Sequence, residues 1–309
     1  MGMTGQRWFH RRGDLARDGW ESVVDATTPG WRHTGLRVAV LQAGDALELS
    51  ETGVERIIVP LAGSFTVTHT EDGVTTRTSL AGRSSVFDGP TDVLYLSAAS
   101  TAAIAGDGRV AVATSPTAEI RPTRHIPASE TPVELRGAGG SSRQVHNFGT
   151  PQALDAARLI VCEVLTPAEN WSSYPPHKHD EHVPGHESRL EEIYYFEAEP
   201  ARGSTGAPKD AAFGMFSAYS SPAGEIDVNA LVRTGDIALV PFGYHGPAVA
   251  APGYDLYYLN VMAGPDAERV WLISDDPAHA WVRDTWDGLA IDPRLPYTTD
   301  PTAKEGDHR

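Results

Sequence analysis

The 309-residue chain has a single cysteine, Cys162, so neither an internal disulfide framework nor a cysteine-based metal cluster is available to it. The surrounding run Leu159-Ile160-Val161-Cys162-Glu163-Val164-Leu165 is mostly apolar, which marks the thiol as a buried structural group rather than a nucleophile. Basic residues are scarce: 25 Lys and Arg stand against 41 Asp and Glu, a formal charge of −16. No cluster of Lys and Arg overrides that average, which argues against nucleic acid as a partner. Long hydrophobic runs are missing too. None approaches the ~18–20 residues of a spanning helix, and the first residues lack the apolar core of a signal peptide. The expected setting is the cytoplasm, away from membranes. Helical periodicity is almost absent, and so is a dinucleotide-binding glycine motif.

What the chain does have is turns and short strands. It holds 30 Gly and 23 Pro, and between them lie runs of about four to eight residues rich in β-branched and aromatic side chains. Examples are Leu36–Leu41, Glu55–Leu61, Ser64–His69 and Val93–Leu96 in the first half. Leu159–Leu165, Glu192–Phe196, Phe213–Tyr219, Ile237–Val240 and Leu256–Val261 follow in the second. Around residues 265–288 a short helix or two is expected.

The texture repeats. Val54-Glu55-Arg56-Ile57-Ile58 resembles Leu190-Glu191-Glu192-Ile193-Tyr194, and each is followed by a second strand block, Val93–Leu96 or Ile237–Val240. Two copies of one all-β unit are expected. The join falls in the poor strand formers between 119 and 150, which gives a first unit with its linker at 1–135, a second unit at 136–297 and a solvated tail at 298–309.

Four of the twelve histidines lie in Pro175-Pro176-His177-Lys178-His179-Asp180-Glu181-His182-Val183-Pro184-Gly185-His186. Residues two apart on a strand share a face, so His177 and His179 point into a barrel together while Lys178 faces away. Imidazole suits divalent Zn, Fe, Mn, Ni or Co, and Glu191 or Glu192 supplies an oxygen donor. His245 is a further candidate. His182 and His186 are read first as solvated loop residues, and His146 as a hydrogen-bonded core or rim group.

The order H-x-H, then Glu, then Gly235-x5-Pro241-x-Gly243-x-His245 resembles the two motifs of the cupin superfamily, small jelly-roll barrels in which three His and one Glu hold a metal. The spacing from His179 to Glu192 is longer than usual, which predicts an inserted loop over residues 182–189. The phrases Pro176–Asp180, Leu190–Phe196 and Leu239–Pro247 resemble, more narrowly, the 5-deoxy-glucuronate isomerase family of myo-inositol catabolism, bicupins related to 5-keto-4-deoxyuronate isomerase. That resemblance implies an all-β bicupin and one divalent metal ion on His177, His179, Glu192 and His245. It selects Glu192 over Glu191 because the family's ligand precedes an Ile-Tyr pair, and strand parity agrees, turning Tyr194 inward beside it.

The first unit has no H-x-H, and Arg56 stands where Glu192 stands in the second, so this barrel is expected to lack metal. The implied reaction is the aldose-ketose interconversion of 5-deoxy-D-glucuronate and 2-deoxy-5-keto-D-gluconate. A metal-dependent dioxygenase and a non-catalytic sugar-acid-binding protein are the alternatives. The substrate is then a small sugar acid, for which Arg143 is the expected carboxylate partner and Tyr194 a substrate contact; Arg233 is a second cation considered. The residues name no catalytic base, and a homo-oligomer is compatible with them without being required.

Overall fold

The computed structural model describes residues 5–298; the remainder of the segment read as a tail lies outside the described residues. The first unit is built from β1 (Phe9–His10), β2 (Ser22–Val24), β3 (Gly35–Leu41), β4 (Ala46–Leu49), β5 (Val54–Glu71), β6 (Val74–Arg83), β7 (Val93–Leu96), β8 (Thr101–Pro116) and β9 (Arg124–Ile126). Of these, β1 leaves its own unit. Its two residues pair with a strand of the second half, and the others form one sheet in the order β2-β3-β8-β5-β7-β9, with β4 on β8 and β6 on β5.

Two long strands let this sheet fold over on itself. The beginning of β5 pairs with β7 and its end with β6, while β8 runs beside it throughout. The bend comes where the β5–β8 register slips between Pro60 and Ala62, a bulge that tolerates proline inside a strand. Gly63 follows with φ +91°, and a Cβ there would lie 2.0 Å from the Asp107 carbonyl oxygen. Only glycine fits both constraints.

The second unit contains β10 (Val133–Arg136), β11 (Arg143–Gly149), β12 (Ile160–Thr166), β13 (Trp171–Ser172), β14 (His177–Lys178), β15 (Glu191–Pro200), β16 (Gly214–Ser221), β17 (Gly224–Val232), β18 (Ile237–Val240), β19 (Tyr244–Ala250), β20 (Tyr254–Ala263) and β21 (Ser274–Asp275). One sheet runs β1-β18-β15-β20-β12-β11-β10 and the other β17-β16-β19-β14-β21, with β13 on β19. Strand Val133–Arg136, which straddles the 135/136 join read from the sequence, pairs with β11 at the edge of the first of these sheets. A 3₁₀ helix, Ala280–Trp286, follows β21, in the region where short helices are expected.

The strand orders β3-β8-β5-β7 and β12-β20-β15-β18 correspond one to one, so the repeat seen in the sequence is a repeat of topology. The chain is an all-β bicupin. The shared wall explains why several strands are apolar without alternation: Ile57 and Ile58 are both fully buried. Ile58 packs inside the first barrel with Leu94, Leu96, Val110 and Val112, whereas Ile57 belongs to the large cluster that includes the second barrel's Ile193 and Val261. At ~25 cal/mol per Å² of apolar surface, such two-sided burial dominates the stability of both strands. No helix among the described residues is long and apolar enough to cross a membrane.

Candidate metal and substrate site

The second barrel brings the H-x-H pair, Glu192 and His245 together. β14 lies against β19 with His177 directly opposite His245, and their rings are 4.6 Å apart between centroids. His179 follows immediately after β14, its ring 4.7 Å from that of His245. Glu192, at the start of β15, sits across from Val240 of β18 and Met262 of β20. Its Oε2 is 2.9 Å from His179 Nε2 and 3.1 Å from His245 Nε2. Ligand atoms of His179, Glu192 and His245 all lie within 4.8 Å of one another, and His177 flanks the group on the His245 side.

The backbone sets the tautomers. Nδ1 of His177, His179 and His245 lies 3.2, 3.0 and 3.1 Å from the carbonyl oxygens of Pro175, Leu190 and Gly243. A carbonyl only accepts, so each Nδ1 carries hydrogen, and each ring in its neutral form presents its Nε2 lone pair. His245 Nε2 is buried and has no hydrogen-bond partner among the described residues despite its closeness to Glu192. Buried lone pairs beside a buried carboxylate are costly unless a cation joins them, and this donor set fits a metal ion. Burial, reinforced by His245 and His179, lowers the His177 pKa. Burial also opposes a charged Glu192, but the neighbouring imidazoles of His179 and His245 outweigh it and lower the carboxyl's pKa to about 2.

Lys178 turns away from the imidazoles, as alternation requires, but meets carboxylates instead of solvent. Its Nζ is 2.9 Å from Asp180 and 2.9 Å from Glu187. Asp180 also accepts the Gly243 N–H at 2.8 Å and the Ser221 hydroxyl at 2.5 Å. The H-x-H segment is thereby tied to the turn that carries His245. The insertion between the ligands is a loop closed by a Val183–Glu187 bridge, and His182 and His186 are exposed on it.

A cavity of about 400 Å³ opens beside this cluster, lined by His177, Glu192 and Tyr194 at one end and Arg143 with Trp271 and Arg283 elsewhere. Tyr194 is buried, with its hydroxyl 3.1 Å from Ser173 Oγ. Burial, then the Glu192 charge, pushes this hydroxyl well up, so it is a donor at neutral pH. Arg143 is buried as well. Its guanidinium donates to the Ser141 carbonyl at 3.0 Å and stands 5.6 Å from the Trp286 ring. Its neighbours are paired, Arg136 with Glu134 at 2.7 Å and Arg283 with Asp275, whereas no carboxylate among the described residues pairs with Arg143. Burial and the charges of Arg136 and Arg283 lower its pKa to about 10.

The remaining candidates lie elsewhere. His146 is fully buried between Glu163, 2.6 Å from Nδ1, and Gln144, 2.7 Å from Nε2. Arg233 does not line the cavity and donates to the Ala211 carbonyl. Cys162 is buried, and burial raises its pKa, which leaves an inert thiol. Sequence reasoning missed Tyr258, Asn260 and Trp271 as cavity residues. The first two share a face with Phe196 and Tyr194 only because β20 pairs with β15 in this register, a relationship that strand patterns do not reveal.

A model of the KduI/IolB family matches residues 8–282. The 5-deoxy-glucuronate isomerase of Geobacillus thermodenitrificans is 39% identical over 276 residues, 86% of this chain and 93% of that one. An IolB-like protein from Salmonella typhimurium LT2 superposes with a TM-score of 0.79 at 33% identity, over 89% of this chain and 98% of its own. The oxalate decarboxylase of Lactobacillus farciminis, at 12% identity and TM-score 0.56 over 88% and 89% of the two chains, shares the fold.

Proposed function

The chain belongs to the KduI/IolB family, and on that premise we propose that it is a 5-deoxy-glucuronate isomerase, interconverting 5-deoxy-D-glucuronate and 2-deoxy-5-keto-D-gluconate. One observation carries the reading. A single cavity is lined at one end by His177 and Glu192 of the buried three-imidazole, one-carboxylate cluster and, apart from them, by a buried arginine with no acidic partner among the described residues. An aldose or ketose that also bears a carboxylate has one group for each.

His177, His179, Glu192 and His245 would hold one divalent ion, such as Zn, Mn, Fe, Ni or Co. Bound there, it would supply a Lewis acid for the carbonyl and hydroxyl oxygens, which would assist either a proton or a hydride route. The protein's own groups do the rest. Arg143 takes the carboxylate in a bidentate, charge-assisted contact that its burial strengthens. Tyr194, kept protonated, offers an O–H to a developing oxyanion or a sugar hydroxyl. Because an isomerisation involves no net redox change, one carbon loses hydrogen and its neighbour gains it. As an enzyme of sugar-acid catabolism the protein would work in the cytoplasm.

The test is anaerobic incubation of metal-loaded protein with 5-deoxy-D-glucuronate, followed by NMR and mass spectrometry. Loss of the aldehyde signals and growth of a ketose of equal mass are expected. A requirement for O₂, or a product of different mass, overturns the isomerase reading.

A further inference from the structure

The inner face of the second barrel is ordered in rungs. Val145 of β11, Val164 of β12 and Tyr258 of β20 are directly opposite one another across successive strand pairs. One rung further on, Asn260 of β20 faces Tyr194 of β15, and one beyond that Met262 faces Glu192. Arg143 lies on the other side of the valines, two residues before Val145 on the same strand and therefore on the same face. From one end to the other the face reads Arg143, Val145 with Val164, Asn260 with Tyr194, then Glu192, with rungs ~7 Å apart. All of these except Met262 line the cavity.

Two features of this order call for a ligand. Val145 and Val164 are 1% and 5% exposed and bring no hydrogen-bonding group to their rung except the Tyr258 hydroxyl, which Ser173 Oγ approaches at 3.2 Å. Asn260 is 3% exposed, and its Nδ2 has no partner among the described residues; neither has the buried Nε1 of Trp271 in the same cavity. A buried donor without an acceptor is destabilising, and a bound oxygen atom relieves that cost.

We propose that Val145 and Val164 select a sugar acid that has no hydroxyl on the carbon next to its carboxylate, and that Asn260 Nδ2 donates to a hydroxyl further along the chain. This rests on the isomerase reading given above. In 5-deoxy-D-glucuronate the order of groups is carboxylate, CH₂, two hydroxyl-bearing carbons, then the two carbons that exchange the carbonyl. With the carboxylate on Arg143 and the reacting end at Glu192, the CH₂ meets the valines and a hydroxyl meets Asn260. D-Glucuronate differs by a hydroxyl at the CH₂ position and would press an unpaired polar group against two valines.

The test compares kcat/KM for 5-deoxy-D-glucuronate and D-glucuronate in the metal-loaded wild type and in Val164→Thr, Val145→Thr and Asn260→Leu. Circular dichroism and metal content serve as folding controls. The open-chain fraction belongs to each sugar, so it cancels from changes in the ratio; for the wild type it is measured by NMR and divided out. The corrected wild-type preference for the deoxy sugar is expected to be about 10–100-fold, the range for a hydroxyl opposed by an apolar wall. Each threonine should narrow that preference by about tenfold, whereas Asn260→Leu should lower both values by a similar factor of at least about ten. Turnover of both sugars with no corrected preference in the wild type, or an unchanged ratio in a folded threonine variant, overturns the valine assignment alone. Unchanged kinetics in Asn260→Leu overturns the hydroxyl contact. Turnover of neither sugar by the wild type overturns the isomerase reading and this assignment with it.

Discussion

Glu55 and Glu191 occupy equivalent positions in the two repeats, and each carboxylate clasps the backbone of the other repeat at an equivalent place. Glu55 accepts the N–H groups of Ala157, Arg158 and Leu159 at 2.7, 2.6 and 2.7 Å, just before β12 begins. Glu191 accepts those of Arg32, His33 and Thr34 at 3.2, 2.5 and 2.7 Å, just before β3 begins. Both glutamates are buried. The two clasps give the joint between the barrels an approximate twofold character, and they satisfy backbone donors that burial would otherwise strand.

Removing either clasp should loosen the joint. Glu55→Ala leaves three N–H groups without their acceptor, and at about 1–3 kcal/mol for each such group the cost should be at least about 3 kcal/mol. Urea unfolding measures it, and Glu191→Ala should fall in the same range. A loss below about 0.5 kcal/mol in either variant would show that water replaces the carboxylate and that the clasp is not structural.

Adjacent residues Glu191 and Glu192 should therefore fail in different ways. Glu192→Gln removes the charge beside His179 and His245, so the protein should retain far less metal by elemental analysis while its stability without metal changes little. Glu191→Gln should keep its metal and lose stability. The reverse pairing would mean that β15 is out of register by one residue, since a one-residue slip exchanges the two faces.

This contrast also shows how far the sequence can be read. Parity puts Glu191 and Glu192 on opposite faces and the family resemblance picks Glu192, and the spacing of His177, His179 and His245 is legible because a metal-binding motif demands particular side chains at particular places. Strands rich in β-branched residues are equally plain: Val93–Leu96 and Ile237–Val240 have the bounds their composition suggests. Strand Thr101–Pro116 is not legible, because Ala, Gly and Asp in its middle have poor strand propensity and it is held by β3 and β5 on either side. Arg56 could be matched to Glu192 by repeat position, and it pairs with Leu96 as Glu192 pairs with Val240. What it does there, donating to the carbonyls of Val54 and Ser100, depends on neighbours brought in by folding. Asn260 and Trp271 escaped for the same reason.

Arg143 gives a kinetic prediction. If its guanidinium holds the substrate carboxylate, Arg143→Ala should cost about 1.5–3 kcal/mol in kcat/KM. Arg143→Lys should recover only part of this, because an ammonium lacks the planar fork. Reduction of the substrate's carboxylate to an alcohol should erase the difference between wild type and variant. Kinetics unchanged by Arg143→Ala would assign the carboxylate to another group.

Glu163 should make stability depend on pH in a defined window. Its carboxylate lies fully buried between the first unit's Arg83, whose two nitrogens are each 2.7 Å away, and His146 at 2.6 Å, with the Tyr257 hydroxyl donating at 2.8 Å. Burial alone would raise its pKa, but the charge and hydrogen bonds of Arg83, with the hydrogen bond from His146, lower it to about 2. An unfolded glutamate titrates near about 4.3. The folded value is the lower of the two, so the carboxylate's contribution is fully present above about pH 4.3 and is lost as pH falls toward about 2. Glu163→Gln keeps the size of the side chain but leaves Arg83 buried without its counter-charge, a loss of about 3–5 kcal/mol at neutral pH. The gap between wild type and variant in urea unfolding should hold steady from pH 7 to pH 5 and close progressively between pH 4 and pH 2.5. Acid effects common to both proteins, including loss of metal, cancel from that gap. A gap that stays constant down to pH 2.5 would show that the ion pair does not depress the Glu163 pKa.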